Sequence, residues 1–384
     1  MTAAPSYSRQ PRFQVLINGV VMPGVQEATW QQANAYQCAT FSFTKALLPG
    51  GNETFNAVFW ANVTSKVITC EIKAAVDNTG FTSMIIGQID GHAYDPIANT
   101  IQANGRDLAA VFIDARILTS YRNNTSSEIV ALLAKKHPSI TATVITKTTT
   151  LAGRYYDASS DISNTGDFSS AVTEWDLICL LGQKEGIIPY FIGSTLYFQS
   201  PPAQPVTFNI YCNRDANGLV TSNAESIQLN RALTFAKNVE VFVQSWNAAK
   251  KTKVVGHAIT KTIKQIPGDT TPPAQFYFEF PNLTKAQADV AAQREALDIA
   301  AHERTATFGL PGDVTITPQT LIQLTGTGTD YDVLWYPTTV TRTLNMQGFS
   351  TQIEAKNSSP LTLYDGATGA AIPILQSPPT QDAY

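Results

Sequence analysis

Residues 68–114 constrain the fold of this chain more than any other segment does. Ile68, Cys70 and Ile72 alternate with polar residues, which predicts a half-buried antiparallel β-strand. The turn-forming sequence VDNTG follows, and then two further apolar runs, the last of which ends in NGRD at residues 104–107 before a short apolar helical turn. This order predicts a three-stranded meander, and we expect one antiparallel β domain over residues 1–110.

The surface of this protein carries few charges. Charged residues make up 15% of the chain, although about a quarter is usual, whereas hydrophobic residues reach 43%. Such a surface suits a protein that is largely covered by neighbours, or an all-β extracellular protein. The net charge is −4 without a basic block, which disfavours nucleic-acid recognition. No apolar run approaches the roughly 20 residues of a membrane helix, so we expect no membrane segment.

The sequence lacks the common motifs of metal, cofactor and catalytic sites. Its four histidines are scattered, and its four cysteines form no CxxC pair. Cys70 and Cys179 fit core thiols of a protein that folds in a reducing cytoplasm. A glycan hydrolase needs two acids about 5 to 10 Å apart. Glu174 and Asp176 lie two residues apart at a predicted helix start, where they splay. We therefore expect no catalytic, cofactor or metal site.

Local signals place several turns and helix starts. Asn18-Gly19 between apolar runs predicts a β-hairpin. Thr125 with Glu128, and Thr284 with Gln287, are capping boxes that predict helix starts. Between residues 248 and 281 the strand signals fade, and from Pro360 on there is no periodicity, which predicts a tail that orders only against a partner. These signals give the following divisions: a β domain at 1–110, an α/β insert at 111–204, a second β domain at 205–247 and 305–359, a loop and long-helix excursion at 248–304, and a C-terminal tail at 360–384.

The polar turn after the third strand is the most suggestive local feature. We expect Arg106 and Asp107 to form a salt-bridged turn that ties this strand to the following helix. Asn104 and Gly105 belong to the same turn, which is the expected hinge between the first β domain and the insert. Trp175 is expected to anchor the core from an amphipathic helix. These five residues are candidates for a structural turn or interface, not for chemistry.

In order and spacing, these segments resemble one family. The resemblance rests on GQID at residues 87–90, NGRDL at 104–108 and Ile113-Asp114. Further segments that fall in the family's order are the helix from Thr125, the sequence EWDL at 174–177, the hairpin at 190–199, the strand at 238–243 and the helix at 284–304. The chain thus resembles the late control protein D family of phage tail hubs, related to the N-terminal part of type VI secretion spike proteins.

The resemblance implies a fold and a function. The expected fold class is α+β, mainly β: two tube-like antiparallel β-barrel domains with the α/β insert and the long-helix excursion. Three subunits would form a homotrimer that presents six such domains to a hexameric tail tube and seats a trimeric central spike. The implied partners are the tail tube protein, the central spike protein, other baseplate proteins and the tape measure protein. The implied location is the tail baseplate of the virion, after synthesis in the host cytoplasm.

The sequence departs from the family pattern and leaves alternatives open. We find neither a peptidoglycan-hydrolase domain nor a long charged C-terminal tail. Five Trp and fourteen Tyr residues keep open a carbohydrate-binding or peptidoglycan-degrading tail-tip protein. A bacterial surface adhesin would need an export signal, which residues 1–11 do not resemble.

Overall fold

A computed structural model of the chain describes residues 10–372, except for gaps at 34–35, 49–52, 64–67, 78, 118, 150, 153, 157–158, 163–172, 186, 200–205, 233–238, 248–250, 263–271, 281–282, 301, 358–360 and 366–370. Four hydrophobic clusters lie in the first β region, the insert, the second β region and the excursion. The predicted mainly-β fold with few helices is confirmed.

The elements follow in chain order. The first β region contains β1 (Pro11–Ile17), β2 (Val20–Met22), β3 (Val25–Ala33), β4 (Thr40–Ala46), α1 (Ala57–Asn62), β5 (Thr69–Val76), β6 (Thr82–Asp95) and β7 (Thr100–Asp107). The insert contains α2 (Ala110–Asp114), β8 (Tyr121–Arg122), α3 (Ser126–Lys135), β9 (Ala142–Ile145), β10 (Arg154–Tyr156), β11 (Ser159–Ile162), α4 (Glu174–Glu185), β12 (Tyr190–Ile192) and β13 (Thr195–Phe198). The remainder contains β14 (Thr207–Arg214), β15 (Val220–Ser222), β16 (Ser226–Arg231), β17 (Val239–Asn247), β18 (Thr252–Thr262), β19 (Ala274–Glu279), α5 (Lys285–Ala300), β20 (Arg304–Pro311), β21 (Leu321–Thr325), β22 (Leu334–Asn345), β23 (Gly348–Asn357), β24 (Leu361–Asp365) and β25 (Ala371–Ile372).

The first β region is a curled sheet with the strand order β3-β4-β7-β6-β5-β1-β2. The predicted hairpin is confirmed: Asn18 and Gly19 have φ of 48° and 81°, and β1 pairs with β2. Strands β2 and β3 lie at opposite ends of this order, yet only Pro23 and Gly24 separate them. The two ends of the sheet are therefore close in space. The curl encloses a core that includes Trp30 and Trp60.

The second β region repeats the strand order of the first. Its order is β16-β20-β23-β22-β21-β14-β15, so each strand has a counterpart in the same place. Only residues 223–225 separate β15 from β16, which again brings the ends of the sheet together. Two strands at one end run in the opposite direction: β14 is parallel to β21, whereas β1 is antiparallel to β5, and β15 is reversed together with β14 because both end pairs are antiparallel. The sequence shows no repeat at the residue level, so the duplication is visible only in the fold.

One ladder joins the two β regions into a 14-stranded sheet. Six residues of β22, from Thr339 to Leu344, pair antiparallel with β3. The opposite edge of β22 pairs with β23 along its whole length. Among the described strands, no ladder closes either region on itself, so the tube-like barrels stay a prediction.

The insert packs helices α3 and α4 against the small sheet β12-β13-β9. Its predicted capping box is confirmed: the Thr125 hydroxyl accepts from the Glu128 amide, and the Glu128 carboxylate accepts from the Thr125 amide. The predicted hairpin after α4 is confirmed as β12 and β13. Gly186, the expected end of α4, lies outside the described residues, as does Pro205, part of the expected boundary after the insert.

The excursion is a layer of helix on sheet, and the prediction of loops before its helix is wrong. β17, β18 and β19 form one sheet, so β17 belongs here and not to the second β region. The inward residues of β18 include Gly256 and Ala258, which face the buried alanines of α5. Residues this small permit close helix–sheet packing but carry little apolar signal, which explains why the pattern was missed.

The tail also differs from the expectation. β24 pairs antiparallel with β18, and β25 pairs with β24. The first part of the predicted tail therefore extends the excursion sheet of the same chain. Backbone ladders use groups that every residue carries, so a segment this short leaves no periodic signature. Residues 373–384 lie outside the described part of the chain.

We predict that Gly256→Ala destabilises the excursion. A Cβ at residue 256 would lie 2.1 Å from the Ala288 carbonyl oxygen, so α5 would have to move away from β18. Overpacking of this kind costs roughly 1–3 kcal/mol, which urea unfolding measures. Gly80→Ala is the matched control because a Cβ there meets nothing within 4 Å. Equal stability of the two variants would contradict this packing.

Candidate functional site

The predicted polar turn lies where the first sheet meets the insert. Asn104, Gly105, Arg106 and Asp107 form the end of β7; all four pair with β6, and the first three also pair with β4. Helix α2 begins three residues after this strand. A β-bulge in β6, between Ile89 and Gly91, lies opposite this end. Bulges bend a strand and redirect its side chains, so β6 changes direction opposite the end of β7.

Gly105 is required by the close approach of its neighbours. A Cβ at this position would lie 2.1 Å from the Gln88 carbonyl oxygen and 2.4 Å from the Phe41 ring. Asn104 has an exposed side chain opposite Gly91. This part of the turn is thus shaped by packing.

Arg106 ties three elements together. Its guanidinium donates to both oxygens of Asp90 on β6, at 2.6 and 2.9 Å, and to Asp114 at the end of α2, at 3.3 Å. Gln88 also donates to Asp114, at 3.0 Å. The hydrogen bond with Asp90 is the main cause that raises the Arg106 pKa. Arg106 therefore connects the third strand of the meander to the following helix, as the sequence suggested.

Asp107 does not pair with Arg106. Its side chain is buried and accepts from the amides of Ala39, at 3.1 Å, and Ala109, at 3.0 Å. Successive residues of a strand point to opposite faces, which separates the two side chains. Burial raises the pKa of Asp107 to about 7, although its two backbone hydrogen bonds oppose this rise. The expectation of a salt bridge between Arg106 and Asp107 is therefore wrong. Asp107 holds two backbone amides in place, whereas Arg106 pairs with Asp90 and Asp114.

Trp175 links the insert to the first β region. Its side chain is buried on α4, and its indole N–H donates to the Tyr36 carbonyl oxygen at 3.0 Å. The ring packs against Phe112 and Phe191, with centroids 6.3 and 6.2 Å away. This geometry stabilises the contact between the insert and the first β region.

A small cleft lies beside this turn. It is lined by residues of the first sheet, the insert and the loop before β21: Gln32, Ala33, Gln37, Ala39, Asp107, Trp175, Tyr190, Phe191, Ile192, Thr317, Pro318 and Gln319. Its volume of about 30 Å³ suits one water molecule, whereas ligand pockets measure several hundred Å³. Asp107 is the single carboxylate in its lining, so the cleft lacks a pair of acids.

The described part of the chain contains neither a metal-binding cluster nor a membrane-spanning helix. No cluster of three or more His, Cys, Asp or Glu side chains there is arranged to hold a metal ion. Among the same residues, no helix combines the length and the apolar composition needed to cross a bilayer.

Arg342 is an interface residue that the sequence reasoning missed. It is fully buried on β22 and donates to the Gln32 side chain of β3 at 2.9 Å, and to the carbonyl oxygens of Asp313, at 2.7 Å, and Ile316. Burial lowers the pKa of Arg342 to about 10. The signal was available, because Arg342 alternates with Val340 and Leu344 on the inward face of β22.

Glu303 is a second buried charged residue that the sequence analysis did not identify. It directly follows the long-helix region, yet it is 1% exposed and pairs with Arg231 at 2.8 Å. His302 instead lies 3.1 Å from the Lys356 ammonium nitrogen. The short turn after α5 brings Glu303 inward, a change that helical periodicity does not reveal.

We predict that Arg106→Ala destabilises the turn by about 1 kcal/mol or somewhat more, because the half-exposed Asp90 and Asp114 lose a shared bidentate partner. Thermal or urea unfolding measures the loss. Lys285→Ala is the control, since it removes a more exposed ion pair with Asp289 on a helix surface. A loss no larger than that of the control would show that Arg106 does not tie these elements.

We predict that Asp107→Asn removes one component of the pH dependence of stability. The folded pKa, about 7, lies above the unfolded value of 3.8. The folded protein then binds the additional proton between these values, and its stability from this group falls as pH rises through 7. Urea unfolding of both proteins across this range should show the wild type losing stability relative to the variant. A constant difference would contradict the raised pKa.

Comparisons with known proteins address the fold. No protein-family model and no curated protein matches the sequence. Among solved structures, the tail protein from Neisseria meningitidis MC58 matches with a TM-score of 0.65 and 16% identity, over 90% of this chain and 96% of that one. The 43 kDa tail protein of prophage MuSo2 from Shewanella oneidensis matches with a TM-score of 0.66 and 13% identity, over 91% and 99%.

A third structure extends the likeness to secretion systems. An E. coli component of the type VI secretion system, which is structurally similar to T4 bacteriophage tail proteins, matches with a TM-score of 0.50 and 10% identity, over 94% of this chain and 79% of that one. At such identities, the likeness speaks for the fold alone. The chain has the fold of these phage tail proteins.

Proposed function

We propose that this chain is a structural hub of a phage tail, or of a phage-derived injection device. Three copies form a ring that joins a hexameric tail tube to a trimeric central spike. The observation that carries this proposal is the duplicated strand order of the two β regions. Three chains with two equivalent β units each would present six units, which suits a sixfold partner on one side and a threefold partner on the other.

The similarity to solved tail proteins supports this assignment. It covers 90% or more of this chain and nearly all of two tail proteins, so the likeness includes the insert and the excursion. The proposed domains are those expected from the sequence, with β17 transferred to the excursion and β24 extending it. Asn104, Gly105, Arg106, Asp107 and Trp175 then hold the first β unit to the insert and perform no reaction. We propose no enzymatic activity.

Exposed apolar tips suit a protein that works through contacts. Ile97, in the β6–β7 turn, is 96% exposed, and Met346, in the β22–β23 turn, is 92% exposed. The ladders from β22 through β3, β4 and β7 to β6 place both turns at the same end of the joined sheet. A neighbouring protein that covered this end of the sheet would remove both apolar side chains from water. The proposed neighbours are the tail tube protein, the central spike protein, other baseplate proteins and the tape measure protein, in the virion baseplate after synthesis in the host cytoplasm.

We predict a trimer in solution. Light scattering coupled to gel filtration should give about three times the 41.6 kDa of one chain. The trimer should also bind the tail tube protein encoded in a neighbouring reading frame. A strict monomer at all concentrations, without affinity for tube or spike proteins, would contradict the proposal.

A further inference from the structure

We propose that two free strand edges of this chain pair with each other between copies. β16 of one copy adds to the second half of β6 in the next copy, in the register that β3 and β22 use within the chain. This inference rests on the proposed ring and specifies the surface that closes it.

The first step is the equivalence of β6 and β22, which have the same place in the strand order of their regions. In its ladder with the next strand of the chain, each has one register shift, between Ile89 and Gly91 in β6 and between Pro337 and Thr339 in β22. Matching the two bulges aligns Gly91 with Thr339. The segment of β22 that follows its bulge is the one that pairs with β3.

The second step is the equivalence of β3 and β16, which the ladders fix independently. Ala28 pairs with Phe43, which pairs with Ala103, which pairs with His92. In the second region, Ile227 pairs with Phe308, which pairs with Ile353, which pairs with Val340. Both chains of contacts run across the core-facing side of their sheets. They align Ala28 with Ile227 and His92 with Val340, in agreement with the bulges.

The third step is that both counterpart edges are free in the described part of the chain. The ladder between β5 and β6 ends at Gln88, and one further backbone hydrogen bond joins Ile89 to Ile68. From residue 90 to 95, β7 is the only described strand that pairs with β6. β16 has β20 as its only described neighbour. The corresponding edges of β22 and β3 are the ones that pair with each other.

The burial of side chains differs between the occupied and the free edges. On β22, Val340, Arg342 and Leu344 are buried. On β6, the corresponding stretch is exposed, and Tyr94, the counterpart of Arg342, is 44% exposed. β22 is buried where β3 pairs with it, whereas the equivalent half of β6 is exposed. The second half of β6 therefore has room for a further strand at its edge. Neither free segment contains Pro or Lys, residues that commonly protect edge strands.

The equivalences give an antiparallel register between copies. Transferring the observed pairs of β22 and β3 places His92 opposite Arg231, Ala93 opposite Asn230, Tyr94 opposite Leu229 and Asp95 opposite Gln228. Tyr94 and Leu229 share the inward face, since their counterparts Arg342 and Trp30 are buried. An aromatic side chain opposite an aliphatic one is a favourable cross-strand pair.

Repeating one such contact generates a closed ring. The two edges lie on different β regions, so each copy offers β16 to one neighbour and β6 to the other. A head-to-tail contact of this kind forms a ring when its rotation closes. Because the contact repeats the geometry of the ladder within the chain, six β units would follow each other with alternating internal and external ladders.

Cysteine cross-linking tests the register in the full chain. The variant Ala93→Cys with Asn230→Cys places thiols on directly opposed residues, in a background with Cys38→Ser and Cys212→Ser to remove the partly exposed native thiols. Opposed Cβ atoms lie about 4.5–5.5 Å apart, against roughly 7–8 Å for diagonal neighbours. The control, Ala93→Cys with Gln228→Cys, is two residues out of register on the same face. Mild oxidation should yield covalent dimers and trimers several-fold faster for the first pair.

The outcomes separate this inference from the proposed function. Equal or absent cross-linking in a protein that light scattering shows to be trimeric overturns the strand pairing and leaves the hub proposal standing. A monomer before oxidation overturns the hub proposal as well. As a second arm, Tyr94→Asp should shift the trimer toward a monomer that keeps the far-ultraviolet circular dichroism spectrum of the folded chain, whereas Ile97→Asp, on the same hairpin, should leave the trimer intact. An equal effect of both variants on the trimer also overturns the pairing.

Discussion

The ladder between β22 and β3 is the interaction on which the rest of this structure depends. It joins two curled sheets, each with its own core, into one sheet. The fully buried Arg342 crosses this ladder and satisfies the Gln32 side chain together with two carbonyl oxygens of the loop before β21. A buried guanidinium without these acceptors would be strongly unfavourable. The loop and both strands are thereby held in a single arrangement.

Because the two β regions have the same strand order, each edge in the ladder between β22 and β3 has a counterpart in the other region. Within the chain, β22 and β3 pair with each other. Their counterparts, β6 and β16, keep edges that pair with no described strand and lie on the outside of the joined regions. The insert and the excursion pack at other places, so a repeating contact between copies does not compete with their cores. The polar turn at Arg106 and Asp107 holds the insert beside the free half of β6 without covering it.

Local features of this fold could be predicted from the sequence, because their causes lie within a few residues. The turn at Asn18-Gly19 needs two positive φ angles, and the helix at Thr125 needs a reciprocal cap; both signals are contained in the residues themselves. β18 could not be found in this way, since it faces α5 with glycine and alanine. The burial of Glu303 and the separation of Asp107 from Arg106 depend on tertiary neighbours. The pairing of β22 with β3 joins residues about three hundred positions apart, and no local pattern encodes it.

Electron cryo-microscopy of the self-assembled protein would show whether the free edges of β6 and β16 pair between copies. We expect a ring of three chains in which six similar β units follow each other, with β16 of one copy hydrogen-bonded to residues 91–95 of the next. A ring in which these two edges face solvent, or an assembly without three chains, would contradict it.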